Sequence, residues 1–198
     1  MTALTTADGL ELESRWDGPD GAETAVVFCH PHPSYGGTMT APLMNGVADR
    51  LAERGFAVLR FNFRGVGSSQ GEHDGGEAEI DDVAAAVEAA ERAHARTVLC
   101  GWSFGGAMAL RWMARAGRGV PFVGIAPPPR LCPPPSRLPK GPKLIVLGDR
   151  EQVIDAEALR SYAIQIGARL EIVTGSDHFF VFRHRQVGDI VADFFSEV

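Results

Sequence analysis

Short, continuous apolar runs alternate along this chain with segments whose apolar residues recur at helical spacing. This alternation restricts the possible folds more than any other feature. Continuous apolar runs are typical of strands buried on both faces, and intervening helices require parallel strands joined by crossovers. We therefore predict an α/β protein with a doubly wound, mainly parallel sheet. Any ligand should bind outside the carboxyl ends of its strands.

Each predicted element is bounded by polar, glycine or proline residues. The segment Leu10–Trp16 alternates apolar and polar residues, which is typical of a half-exposed edge strand. Further strands are predicted at Ala25–Phe28, Ala57–Phe61, Thr97–Cys100, Val120–Ile125, Lys143–Leu147 and Leu170–Val173. Helices are predicted around Leu43–Leu51, Ile80–Val87, Phe104–Ala116, Leu159–Ile166 and Val187–Phe195.

Proline dominates the segment 127–142, which reads PPPRLCPPPSRLPKGP. Because proline lacks the N–H that a helix needs, we predict an extended crossover here rather than a helix. The short strand–helix pattern that follows is too small to form a core easily by itself. The sequence therefore predicts a single domain spanning residues 1–198 rather than two domains with a linker.

Charge and cysteine content exclude several classes of protein. Lys and Arg total 19 against 25 Asp and Glu, and a net charge of −6 argues against nucleic acids and anionic membranes as partners. No apolar run approaches the ~18 residues of a membrane helix, and the first residues do not resemble a signal peptide. Three cysteines do not make a disulfide framework. We expect a cytoplasmic protein that acts on a small molecule without a metal or cofactor.

The strongest chemical signal is the segment 101–105, GWSFG, which fits the pattern G-x-S-x-G. It follows an apolar strand and opens a predicted helix. Such a turn presents a serine clear of the sheet, and the helix behind it directs N–H groups at a developing oxyanion. Ser103 is therefore the predicted nucleophile. The alternative is a glycine-rich turn with an ordinary capping serine.

A serine nucleophile needs a base, and the segment 175–180, GSDHFF, supplies His178 after the last predicted strand. The acid should follow the strand Lys143–Leu147, where Asp149, Glu151 and Asp155 are all available. The other five histidines fit less well. His30 and His32 precede the serine, whereas the order is Ser, acid, His. His73 lies in a loop, His94 lies near a helix end, and His184 is expected on the solvent side of the last helix.

Several segments resemble the α/β-hydrolase superfamily, above all its small, lidless bacterial branch of serine hydrolases, related to dienelactone hydrolases and serine aminopeptidase-like esterases. The resemblance rests on HPHP with GGTM at 30–39, FNFRGVGSSQG at 61–71 and DHFF at 177–180. It implies an α/β-hydrolase fold without a cap domain. Dienelactone hydrolases carry a cysteine in this turn, so Ser103 implies ordinary serine esterase chemistry.

The resemblance also assigns roles to individual residues. The family pattern after the acid strand is G-x-x-D, and Glu151 occupies its last position in GDRE. Glu151 is therefore favoured over Asp149, and Asp155 is more simply a helix cap. The oxyanion hole should use the N–H of Phe104 and, from the first loop, the N–H of His32.

Other residues near these motifs have two interpretations each. His30 and His32 could bind a metal, but no carboxylate accompanies them and structural hydrogen bonding is preferred. Arg64 could hold a substrate carboxylate or form a structural ion pair, and the ion pair is preferred. Four aromatic side chains could line an acyl pocket or pack in the core: Tyr35, Trp102, Phe104 and Phe179.

These observations predict a serine hydrolase that cleaves an ester or thioester of a small acyl group through an acyl-enzyme intermediate. An open site without a cap suits small substrates. One alternative is an aminopeptidase or amidase, which would need a carboxylate to hold a free amino group. Further alternatives are a lyase with the same triad and a noncatalytic binding protein on the same fold. The oligomeric state stays open.

Overall fold

Eight strands form one mixed sheet in the order β1-β2-β4-β3-β5-β6-β7-β8. The computed structural model describes residues 2–198, with side chains described from residue 4. Met1, the first residue of the predicted domain, lies outside them. The strands are β1 (Thr2–Thr5), β2 (Glu11–Asp17), β3 (Thr24–Cys29), β4 (Ala57–Phe61), β5 (Arg96–Trp102), β6 (Phe122–Ile125), β7 (Lys143–Gly148) and β8 (Arg169–Val173).

Five helices connect or follow the parallel strands: α1 (Pro42–Glu53), α2 (Glu79–Ala93), α3 (Phe104–Ala116), α4 (Ala156–Gln165) and α5 (His184–Glu197). Local sequence sets several of their ends. Pro42 occupies the first turn of α1, Gly55 follows that helix at φ +88°, and Asp155 caps α4 by accepting the Ala158 N–H at 2.9 Å. No helix of residues 2–198 combines the length and apolarity that a membrane span requires.

The strands β3 to β8 pair in parallel, whereas β2 is antiparallel to both β1 and β4. The predicted fold class is therefore confirmed. The prediction that Leu10–Trp16 forms the edge strand was wrong, because β1 covers that edge and Leu4 pairs with Leu12. A four-residue strand rich in threonine has too little apolar periodicity to reveal itself in the sequence.

The core is formed where helices cover both sides of the sheet. Every residue of β3 after Thr24, and all of β4, β6 and β7, is buried. The helix α1 packs against α5, and α2 packs against α3. These buried strands carry the continuous apolar runs from which the parallel sheet was predicted.

The proline-rich crossover between β6 and β7 contains no α-helix, as predicted. It does contain two short 3₁₀ turns, Pro129–Leu131 and Pro135–Arg137, which the sequence analysis did not predict. The Tyr162 hydroxyl of α4 donates a hydrogen bond to the Pro133 carbonyl at 2.8 Å, which anchors the crossover. The crossover of residues 127–142 therefore joins β6 to β7 without an inserted helical cap.

Parallel pairing brings four important loops to one edge of the sheet. The strands β3, β5, β7 and β8 all end there, and Cys29 of β3 is in register with Gly101 of β5. The loops that follow these strands carry the residues singled out from the sequence: His32, Ser103, Glu151 and His178.

Candidate active site

Ser103 lies at a sharp turn between β5 and α3. Its backbone adopts φ 51° and ψ −119°, a conformation that L residues rarely adopt, and its N–H donates to the Ile125 carbonyl at 2.8 Å. A non-glycine residue in such a region costs roughly 1–3 kcal/mol, and this strain is typical of functional sites. The turn lifts the serine from the strand and presents it at the start of the helix.

The glycines around Ser103 are required by close backbone approach. A Cβ atom on Gly105 would lie 2.3 Å from the Cys29 carbonyl oxygen, and one on Gly101 would lie 2.5 Å from the Gly105 carbonyl carbon. A side chain at either position would push α3 away from β3 and β5. The pattern G-x-S-x-G therefore follows from how closely the helix start approaches the strand ends.

The His32 turn lies beside the start of α3. The His32 carbonyl accepts hydrogen bonds from the N–H groups of Tyr35 and Gly37, both at 3.1 Å. The centroid of the His32 imidazole ring lies 5.0 Å from that of the Phe104 ring. Among residues 2–198, no carbonyl or side chain accepts the N–H of His32. The Phe104 N–H, at the first position of α3, has no partner within its helix. Both predicted oxyanion donors are therefore in neighbouring segments with their N–H groups available.

His178 and Glu151 form a pair on the loops after β8 and β7. His178 Nδ1 lies 2.8 Å from Glu151 Oε2, and the glutamate side chain is fully buried. The other carboxylate oxygen, Oε1, accepts the N–H groups of Val153 at 2.7 Å and Ile154 at 3.2 Å. Burial acts to raise the pKa of Glu151, but these hydrogen bonds outweigh it and hold the pKa below its usual value. An ionised Glu151 can orient the imidazole and stabilise its cation.

The two other candidate acids make different contacts. Asp149 Oδ1 accepts the N–H groups of Gly175 at 2.7 Å and Ser176 at 3.2 Å, so it links the loop after β7 to the loop that carries His178. Asp155 caps α4. This role of Asp149 was not predicted, because nothing in the local sequence pairs its carboxylate with these two N–H groups.

The turn at residues 101–105, the nucleophile elbow, makes contacts that hold the His178 loop close to Ser103. The Trp102 indole N–H donates to the His178 carbonyl at 3.2 Å, and the two rings lie 6.1 Å apart. Phe180 anchors the same loop: it is fully buried and adopts φ 51°. No hydrogen bond joins Ser103 Oγ to His178 within residues 2–198. In serine hydrolases such bonds often form fully only in the substrate complex.

His30 and Arg64 have structural contacts. Both ring nitrogens of the buried His30 are used: Nδ1 lies 2.6 Å from the Pro31 carbonyl, and Nε2 accepts the Phe63 N–H at 3.0 Å. Burial lowers the pKa of His30 to about 4, which keeps it neutral. Arg64 Nη2 lies 2.7 Å from Asp82 in a buried ion pair. No cluster of three or more potential metal ligands occurs in the described part of the chain.

The four aromatic candidates divide into two groups. Trp102 and Phe104 are buried and pack in the core around the elbow. Tyr35 is 85% exposed and Phe179 is 49% exposed, so both present apolar surface beside the site.

His184, predicted to face solvent, is half-buried instead, because the absence of a side chain on Gly46 of α1 allows α5 to pack closely there.

A second histidine–glutamate pair was missed. His73 Nδ1 lies 2.5 Å from Glu79 Oε1, and the His73 ring lies 5.0 Å from that of His32 and 5.5 Å from that of Phe104. Glu79 Oε2 also accepts the Gly76 N–H at 2.8 Å. In the sequence, Glu79 is an acidic residue at a helix start, where the helix dipole is sufficient to explain it.

Residues 21–146 match the family model described as serine aminopeptidase, S33. Three solved structures of bacterial proteins resemble the chain over nearly its whole length. A protein of unknown function from Agrobacterium tumefaciens, grouped with the α/β hydrolases, is 26% identical, with a TM-score of 0.86 and coverage of 98% of this chain and 94% of that one.

The second is an α/β serine hydrolase homologue from Coxiella burnetii, 29% identical, with a TM-score of 0.84 and coverage of 97% and 95%. The third, from Xanthomonas campestris, is described as an α/β serine hydrolase without a lid. It is 27% identical, with a TM-score of 0.81 and coverage of 99% and 93%. The β6–β7 crossover without an α-helix agrees with this last similarity.

Proposed function

The chain belongs to the serine aminopeptidase S33 family and is an α/β serine hydrolase, and from this premise we propose that it cleaves an ester or thioester of a small acyl group. The observation that carries the proposal is the 2.8 Å contact between His178 and the buried Glu151, at the sheet edge where Ser103 is held in its strained turn. A nucleophile, a base and an oriented acid are the groups that acyl transfer needs.

In the proposed first step, His178 Nε2 takes the proton of Ser103 Oγ as the oxygen attacks the acyl carbonyl carbon. Glu151 stabilises the imidazolium that forms. The tetrahedral intermediate then collapses: the bond to the leaving group breaks, and the imidazolium gives its proton to the departing alcohol or thiol. The acyl group remains as an ester on Ser103.

In the second step, His178 takes a proton from water as the water oxygen attacks the acyl-enzyme. Collapse of the second tetrahedral intermediate returns the proton to Ser103 and releases the acid. In both steps the N–H groups of Phe104 and His32 would hold the carbonyl oxygen as it gains negative charge. Removing one such donor typically costs about 10²–10³ in kcat.

A groove that borders the loop after Glu151, rather than Ser103 itself, supports a small acyl substrate. A groove of about 480 Å³ lies between the start of the proline-rich crossover and the loop after Glu151. Pro128 and Pro129 line one side, and Val153 and Ile154 line the other. A volume in the range of roughly 300–1,000 Å³ with a mainly apolar lining suits a small molecule rather than a folded protein.

The lining of the same groove bears on the aminopeptidase or amidase alternative, which needs a free carboxylate for the amino group. Asp155 is the carboxylate that lines it, but its Oδ1 already caps α4. We expect 4-nitrophenyl acetate and butyrate, and the matching thioesters, to be cleaved faster than aminoacyl 4-nitroanilides. The reverse order would assign the site to amide hydrolysis.

A cytoplasmic location is also proposed, and the three free cysteines agree with a reducing compartment.

Intact-mass labelling with a fluorophosphonate tests the nucleophile directly. We expect one adduct on the wild type, none on Ser103→Ala, and strongly slowed labelling of His178→Ala. His94→Ala is the matched control, because His94 lies at the end of α2 and hydrogen-bonds the Ala22 carbonyl. An adduct that persists in Ser103→Ala would overturn the mechanism. A folded wild type without an adduct would instead favour a noncatalytic binding protein.

A further inference from the structure

We propose that the substrate carries a carboxylate in addition to its ester or thioester bond, and that Arg130 is the residue that binds it. This inference rests on the proposed function and specifies the substrate class. Its evidence is the position of Arg130, the absence of an acidic partner, and the rigidity of the segment that carries it.

Arg130 lies at the active-site end of the proline-rich crossover. It belongs to the 3₁₀ turn Pro129–Leu131 and lines the 480 Å³ groove together with Val153 and Ile154. The N–H groups of these last two residues hold the Glu151 carboxylate. The groove therefore connects the acid loop to a guanidinium group at the surface.

Electrostatics add to the geometric evidence. Burial, His73 and the positive charge of Arg130 together lower the pKa of His32. This direction agrees with the start of the crossover, which follows the end of β6 next to the end of β5 and Ser103.

Arg130 is exposed and forms no ion pair within residues 2–198. Nearby arginines do: Arg111 contacts Glu77, and Arg115 contacts Asp81. Asp155 lines the same groove as Arg130 but is used as the cap of α4. The charge of Arg130 therefore stays available to a ligand.

A second groove extends the positive surface away from the site. Its volume is about 470 Å³, and Arg130 lines it together with Arg111, Arg115 and Arg137, whereas Glu77 is the acidic residue in its wall. In a chain with a net charge of −6, this local excess of positive charge would attract anions toward the groove mouth.

The segment around Arg130 is held rigid before any ligand binds. Proline fixes φ at Pro128 and Pro129, and the N–H groups of Leu131 and Cys132 donate to their carbonyls at 3.0 and 3.1 Å. A preorganised backbone reduces the entropy lost when a ligand is bound. A planar guanidinium can then form two parallel hydrogen bonds to one carboxylate, with matching charge.

The test compares two esters of equal chain length, mono-(4-nitrophenyl) glutarate and 4-nitrophenyl valerate. We expect the wild type to prefer the glutarate ester. Arg130→Gln should lower kcat/KM for this ester about tenfold to a hundredfold and change the valerate value less than about twofold. Arg130→Lys should recover part of the loss. Arg92→Gln, which removes an equal charge from the exposed face of α2, should change neither value.

The outcomes separate this inference from the proposed function. If both esters are cleaved equally, or Arg130→Gln lowers both values alike, the carboxylate site is wrong and the hydrolase proposal stands. If neither ester is cleaved and Ser103 is not labelled, the proposed function fails. Calorimetric titration with glutarate then decides the site: binding that is lost in Arg130→Gln supports it, and no binding to the wild type overturns it.

Discussion

Two histidine–glutamate pairs flank Ser103, and their geometry is similar. His178 lies against Trp102 and 2.8 Å from Glu151, whereas His73 lies against Phe104 and 2.5 Å from its glutamate. The carboxyl group is fully buried in both pairs. Distance and burial alone would therefore identify either pair as the base and acid of a triad.

The electrostatics of the two acids differ. The pKa of Glu151 is lowered, because hydrogen bonds from His178 and the Val153 N–H outweigh burial. The pKa of Glu79 is raised, by burial first and then by a hydrogen bond with the Asp74 carboxyl group, whose own pKa is lowered. An ionised carboxylate stabilises an imidazolium, and a protonated one does so much less. The direction of the pKa shift of the acid thus distinguishes the two pairs.

The two pairs also differ in what they connect. Glu79 accepts the N–H groups of Asp74 at 3.2 Å and Gly76 at 2.8 Å, so the pair fastens the glycine-rich loop to the start of α2. Glu151 instead bridges two loops at the carboxyl ends of β7 and β8. We interpret the His73–Glu79 pair as a structural support beneath the oxyanion loop and the other pair as the catalytic one.

The largest expected difference is between the two histidines. His178→Ala should lower kcat for 4-nitrophenyl valerate by about 10⁴-fold or more, because the base that takes the Ser103 proton is lost. His73→Ala should lower it by less than about tenfold, since only packing against Phe104 and His32 changes. A His73→Ala variant that is folded and as inactive as His178→Ala would contradict the assignment.

The acids should show the same ranking with smaller effects. Glu151→Gln keeps the size of the side chain but removes the charge, so we expect a loss in kcat of about 10²–10⁴. Glu79→Gln should stay within about tenfold of the wild type, and Asp149→Asn should be milder than Glu151→Gln. If Asp149→Asn were the more severe variant in steady-state assays, Asp149 would be the acid.

The part of this arrangement that could be predicted from sequence is the part encoded locally. The segment GWSFG between an apolar strand and a helix predicted the turn at Ser103, and parallel strands predicted that the following loops would meet. The edge strand β1 was missed because four residues carry too weak a pattern. Glu79 was missed as a partner of His73 because its burial depends on how a loop folds over the helix start, which spacing does not reveal.

The smallest expected effect is the difference in pH dependence of stability, and it separates the two acids by sign. The folded pKa of Glu151 lies below its usual 4.5, so its stabilising effect is present above that pH and is lost as the pH falls. The folded pKa of Glu79 lies above 4.5, so its stabilising effect is present at low pH and is lost as the pH rises through the folded value.

Urea unfolding of Glu151→Gln and Glu79→Gln between about pH 4 and about pH 7 therefore compares the two pairs in one measurement. Relative to the wild type, the free energy of unfolding of Glu151→Gln should become smaller as the pH rises, and that of Glu79→Gln should become larger. Each difference can change by at most about 1.4 kcal/mol per pH unit, since one proton is involved. Equal slopes would mean that the two pKa values are shifted in the same direction, and electrostatics would then not distinguish the catalytic pair from the structural one.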